Sequence, residues 1–262
     1  MALLVKILLT PSFLAVATLL ERRWGPAIGG TVAGLPLTSA PVSVFLAREQ
    51  GAAFAAAAAV GTLLGLLSQG ALCLAYSWSA RRAPWWISAG VGVAAFTAAT
   101  LALEHVALST WPAFVLVCGL LLLAAGAIPV TTAVLRPAHP PPWDMPLRML
   151  VSAAIVLGLT GVAPSLGPRW TGLLSPFPVF ALVLGAFTHH ARGPAAAAHL
   201  LRGVVLGSLS HAAMFALISS LLVAHGLAWT YALASLAALG VNALALVLVR
   251  WPPGHGQPAT RL

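Results

Sequence analysis

The segment Gly25–Gly65 occurs twice. Shifted by 142 positions, without a gap, it falls on Gly167–Gly207. Gly25, Pro26, Gly30, Pro36, Phe45, Gly51, Gly61, Gly65 and Ser68 match Gly167, Pro168, Gly172, Pro178, Phe187, Gly193, Gly203, Gly207 and Ser210. Five of the six glycines between 167 and 219 have a glycine partner in the first copy. A match at one fixed offset marks a duplicated structural unit. The chain must therefore fold as two related units and whatever joins them.

The medium for those units follows from charge. Of 262 residues, 60% are hydrophobic and only 6% charged, and mean hydropathy is +0.99. A soluble domain carries roughly 25% charged residues. Too few charges exist to face water on all sides, so the expectation is an all-α polytopic membrane protein with the lipid bilayer as its partner. The net charge of +9 does not indicate nucleic acid. The basic residues stand singly or in pairs between apolar runs, as topology signals do. Cys73 and Cys118 lie inside apolar runs, which points to packing and not to disulfide or metal chemistry. Lys6 sits within the first run and no clear cleavage site follows it, so that run reads as a retained helix.

Spanning a bilayer takes about 20 apolar residues. Nine runs approach that length: 3–20, 27–46, 52–77, 86–108, 111–135, 147–164, 170–188, 195–224 and 227–250. Nine crossings put Arg22, Arg23, Arg81, Arg82, Arg136, Arg148, Arg192, Arg202, Arg250 and Arg261 on one side, against Lys6, Arg48 and Arg169 on the other. That bias places the N-terminus outside and the C-terminus in the cytoplasm. Runs 1–4 match runs 6–9, with run 5 between them. The second copy starts after an odd number of crossings and is inverted. The expected plan is two inverted four-helix repeats, 1–108 and 147–250, joined through a linker helix and Pro-rich loop over 109–146, with a tail over 251–262. Inverted repeats of this kind recur in secondary transporters.

Four constellations bear on function. The first is a pair of proline-broken runs, with Pro36 and Pro41 in GLPLTSAP and Pro176 and Pro178 in GLLSPFP. Proline removes a backbone donor and frees a carbonyl one turn back. Interrupted helices in corresponding places of two halves point to a substrate site, and Thr38, Ser39, Ser43 and Ser175 supply hydroxyls there. The plainer alternative is a kinked packing helix. The second is Ser68-Gln69 in run 3, matched by Ser210-His211 in run 8. These polar residues would approach each other across the pseudo-two-fold axis, either as a site or as interhelical hydrogen-bond glue. The third is the end of runs 2 and 7, where Glu49 and the pair His189–His190 form either a gate with proton-coupling groups or solvated loop charges. The fourth, Glu104–His105, reads as a surface pair. Glu21 and Asp144 read as loop residues, and Asn242 as glue.

Gly61 and Gly65, and their counterparts Gly203 and Gly207, form two GxxxG motifs, read as the packing seam of the duplicated bundle, with runs 3 and 8 central. No phosphate loop, GxSxG, HExxH, CxxC or dinucleotide fingerprint is present. No enzyme, metal or cofactor is expected.

The stretch GLLSPFPVFALVLGAFTH, with Gly172, Leu173, Pro176, Phe177, Pro178, Phe180, Ala181 and Leu182, resembles the GlpM-like family of small bacterial inner-membrane proteins. Its members are about one repeat long, so this chain resembles a tandem duplication of such a unit. The first copy keeps Gly34, Leu35 and Pro36 and departs elsewhere. The resemblance implies an inner-membrane location and a link to exopolysaccharide (alginate) production, and assigns no catalytic residue. Two functions follow as expectations. One is a secondary transporter or exporter of an unidentified small molecule, with its site between runs 2, 3, 7 and 8. The other is a non-transporting accessory protein for envelope polysaccharide or lipid biosynthesis, partnered by that machinery or by a second copy of itself.

Overall fold

The computed structural model describes residues 2–131, 141–162 and 177–250. Ser175, Pro176 and the glycines Gly167 and Gly172 lie outside the described residues, as do most of the Pro-rich loop and the tail. Every regular element among the described residues is a helix: α1 (Ala2–Trp24), α2 (Pro26–Ala33), α3 (Ser39–Glu49), α4 (Ala52–Ser79), α5 (Trp85–Leu103), α6 (Thr110–Ala127), α7 (Asp144–Val162), α8 (Val179–Arg192), α9 (Pro194–His225) and α10 (Leu227–Arg250).

Five of these helices have the length and apolar composition to cross a bilayer: α4, α5, α6, α9 and α10, the last through Val247. Run 2 is no single helix. It is split into α2 and α3 by Gly34–Thr38, where Pro36 lacks a backbone donor and the amide of Ala40 bonds the Pro36 carbonyl instead.

The core is built on α4 and α9, which pack against each other. They run antiparallel. Gln69 reaches Ser208 near their middles, while Ala55 and Ala59 of early α4 share an apolar cluster with Met214, Phe215, Ile218 and Leu222 of late α9. Each carries its own flanking helix, α5 on α4 and α10 on α9, and α3 lies on α4 as α8 lies on α9. The central α6 touches both α4 and α9. Trp78 Nε1 at the end of α4 donates to the Ala127 carbonyl at the end of α6, and Ser219 Oγ of late α9 donates to Thr110 at its start.

Local geometry keeps the 142-residue register. Helices α4 and α9 begin at Ala52 and Pro194, α5 and α10 at Trp85 and Leu227. The residues before the two central helices are Gly51 (φ 92) and Gly193 (φ 88). A side chain is strained at such a φ and glycine is not, which explains why this position is glycine in both copies.

Helix ends gather in two sets. Hydrogen bonds and ring contacts join the ends of α1, α4, α6 and α8 with the starts of α5, α7 and α9. The other end holds the ends of α3 and α9 and the starts of α4, α6 and α10, sharing one apolar cluster and the Ser219–Thr110 bond.

The second GxxxG motif is a close-packing surface, and the helix that it seats is α2. A Cβ on Gly203 would strike the Ala27 carbonyl and the Thr31 amide, and one on Gly207 would strike the Thr31 carbonyl. Reciprocally, a Cβ on Gly30 would meet backbone of Leu200 and Val204, and one on Gly34 backbone of Val204 and Gly207. Residue numbers rise together along both helices, so α2 and α9 run parallel, backbone on backbone.

Candidate functional site: buried polar side chains at three levels

The first level joins α1, α7 and α8 at the end where most basic residues gather. Arg148 Nη1 donates to Glu21 Oε2 at 3.2 Å and its Nε to Asp144 Oδ2 at 2.9 Å. Arg22 Nη2 donates to the same Asp144 oxygen at 2.7 Å, and Thr188 Oγ1 to Glu21 Oε1 at 2.6 Å. The Arg148 guanidinium also lies 5.0 Å from the Phe187 ring centre. Glu21, Asp144 and Arg148 are each less than 5% exposed.

This overturns the reading of Glu21 and Asp144 as loop residues. Glu21 lies within α1, and Asp144 opens α7, where its carboxylate also suits the positive end of the helix. Both cations and both acids balance, which a buried cluster requires. One sequence signal was available: Arg148 occupies, in the second copy, the place of Lys6, a cation set inside an apolar run. Next to it, buried His189 faces Tyr76, Nδ1 to hydroxyl 3.3 Å, and exposed His190 meets Trp85 edge-on. The two histidines thus part company, one inside and one outside.

The second level is the middle of α4 and α9. Gln69 Nε2 donates to Ser208 Oγ at 2.7 Å, which in turn donates to the Val204 carbonyl. Thr100 Oγ1 of α5 donates to Ser68 Oγ at 2.9 Å. Ser210 Oγ bonds the Gly207 carbonyl. Gln69 and His211 lie on the facing central helices, but the glutamine's bond goes to Ser208, almost a turn before His211. His211 lies over Phe215, ring centres 5.0 Å apart, and its Nε2 is buried with no partner among the described residues. Asn242 Oδ1, at the α10 position matching Thr100, is likewise buried without one.

The break between α2 and α3 meets this level, because Gly34 rests on Gly207, one turn before His211. Pro36 and Ser39 are buried there, whereas Thr38 and Pro41 are half-buried. Pro178 is buried and caps α8, and the Leu182 amide bonds its carbonyl.

The third level, near the opposite end, is a bond between the hydroxyls of Ser43 and Tyr231, joining α3 to α10. Ser43→Ala is expected to cost only about 0.6 kcal/mol, the usual worth of an interhelical hydrogen bond in a membrane. Comparing the melting temperature of Ser43→Ala, Tyr231→Phe and the double variant in detergent checks this. Coupling well beyond that figure would mean the pair fixes the helix break itself. Glu49 is exposed beyond this level, at the end of α3.

Among the described residues no three His, Cys, Asp or Glu side chains stand close enough to hold a metal ion. The arrangement offers hydroxyl, amide and imidazole groups at mid-bundle and a neutral charge cluster at one end. Comparison with family models, with curated proteins and with solved structures finds no match for this chain.

Proposed function

We propose that this multi-pass membrane protein is a secondary transporter or exporter of a small molecule, built from two inverted four-helix halves joined through α6. The observation that carries the reading is the antiparallel pairing of equivalent helices: α4 against α9, and α1 against α7, whose opposite termini meet at Glu21–Arg148 and Arg22–Asp144. Helices related by a two-fold axis in the membrane plane must run this way. The common register of helix starts and the broken α2–α3 beside the polar middle level add to it. The substrate path then lies between α2–α3, α4, α8 and α9, with Pro36, Thr38, Ser39, Pro41, Ser68, Gln69, Pro178, Ser210 and His211 along it. Glu49, His189 and His190 stand towards its two ends. On this reading the chain crosses nine times, with the N-terminus outside and the basic end in the cytoplasm, as the positive-inside bias supports, and the resemblance to GlpM-like proteins supports a bacterial inner membrane.

The test needs no substrate. In a Cys73→Ala/Cys118→Ala background, Ser39→Cys and His211→Cys are exposed to a membrane-impermeant maleimide from either side of oriented vesicles. Alternating access predicts labelling from both sides. Absence of labelling from both sides would remove the transport reading. Tags on the two chain ends should be protected on opposite faces of the membrane, and protection on the same face would remove the inversion.

A second reading has its own observation. The polar groups of the middle level largely satisfy one another, Gln69 with Ser208 and Thr100 with Ser68, as in a packed scaffold. With the resemblance to GlpM-like proteins, this supports an accessory role in envelope polysaccharide or lipid biosynthesis. A stable complex after gentle solubilisation, with both cysteines unlabelled, is its expected signature.

A further inference from the structure

The end of the bundle that carries the buried charge cluster also carries cations the cluster does not use. Glu21 and Asp144 are the acids at this end, and both are taken up by Arg22 and Arg148. Arg23, Arg81, Arg82 and Arg192 form no ion pair among the described residues. Three of the four are exposed, and Arg192 is half-buried.

The contacts of the fold bring these four together from distant parts of the chain. Thr188 on Glu21 ties the end of α8 to the end of α1, carrying Arg192 towards Arg23. His189 on Tyr76, and His190 against Trp85, tie the same end of α8 to the turn between α4 and α5, which carries Arg81 and Arg82. These contacts set all four arginines at the same end of the bundle, three from the first copy and one from the second.

Its chemistry is mixed in a specific way. Arg23 lies 5.1 Å from the Trp24 ring centre and Arg81 5.0 Å from that of Trp78. Trp24, Trp78, Trp85 and Trp86 are all 40–60% exposed. Nucleic acid or an acidic protein would find the cations alone sufficient. Amphipathic indole rings beside unpaired guanidinium groups suit the boundary between acyl chains and headgroups, where rings sit in the apolar layer and cations meet phosphate.

We propose that this patch binds the headgroups of anionic phospholipids in the leaflet it faces, with Arg23, Arg81, Arg82 and Arg192 contacting lipid phosphate and the tryptophans holding the depth. The inference is independent of whether the protein transports anything. A guanidinium presents several donors in a planar fork that matches phosphate oxygens, so arginine rather than a generic positive charge is the fitting residue. The buried cluster has a part in it. By engaging Glu21 and Asp144 internally, it keeps both of these carboxylates from competing with phosphate for the surface arginines.

The test uses the full chain reconstituted in phosphatidylcholine vesicles containing a trace of spin-labelled lipid. The fraction of label immobilised on the protein is compared for phosphatidylglycerol and phosphatidylcholine. The parent protein is expected to favour phosphatidylglycerol several-fold at low salt, with the preference shrinking as sodium chloride is added. Arg23→Gln/Arg81→Gln/Arg82→Gln/Arg192→Gln should lose the preference while keeping the parent's helical circular dichroism. Should that variant misfold, Arg81→Gln/Arg82→Gln alone, on an exposed turn, should lower it measurably. Equal association of the two lipids with the parent overturns the proposal, as does a preference that the glutamine variants leave intact. An inorganic phosphate arm separates the sources. If free phosphate at millimolar concentration abolishes the lipid preference, the patch is a soluble-anion site and the lipid assignment fails.

Discussion

Replacing Arg148 by glutamine is expected to destabilise the protein by about 3–5 kcal/mol, the cost of breaking a buried ion pair from one side. The guanidinium bridges Glu21 and Asp144. Without it, among the described residues Glu21 keeps the Thr188 hydroxyl and Asp144 keeps Arg22. One negative charge is then left uncompensated among residues less than 5% exposed. The removal of a partner, and not the loss of the pair itself, is what costs so much. Glu21→Gln/Arg148→Gln should therefore be markedly more stable than Arg148→Gln alone, because the double variant buries no unpaired charge. Thermal unfolding in detergent, followed by retention of the monodisperse elution peak, measures both. An Arg148→Gln protein that melts with the parent would show that water already reaches Glu21, and that the cluster is not sealed.

The second large effect is expected from α2. Gly203→Leu should prevent α2 from seating on α9, with loss of most folded protein. The atoms in its way, the Ala27 carbonyl and the Thr31 amide, are backbone and cannot turn aside. Even Gly203→Ala and Gly207→Ala should cost on the order of 1–3 kcal/mol, as overpacking does. Gly119→Ala and Gly240→Ala are the controls, since a Cβ there meets nothing. Those two should be neutral or stabilise by up to about 1 kcal/mol, since alanine is the better helix former. Fluorescence-detected size-exclusion profiles after a heating series distinguish the two sets. Equal tolerance at all four glycines would mean that α2 is not held backbone to backbone.

What the sequence determined by itself was medium and period. So few charges over so many apolar residues cannot make a water-covered surface, and composition alone decides that. The offset of 142 was equally legible, because glycines at helix starts, such as Gly51 and Gly193, answer to local backbone geometry that needs no partner. The prolines announced the break between α2 and α3 for the same reason.

Only the tertiary structure decided which polar residues lie inside. Glu21, Asp144, Arg148 and Thr188 are spread over 168 positions of the chain, and a charge beside an apolar run looks the same whether it faces water or a counter-charge. Their burial depends on α1 meeting α7 and α8. The seat of α2 was hidden in the same way, since a GxxxG motif states that something packs closely but not what. Gln69 and His211 occupy matching places in the two copies. Yet the amide finds Ser208, while among the described residues the imidazole lies against Phe215 and its Nε2 has no partner. Local rules fix what a residue can do, and long-range contacts choose which neighbour it does it with.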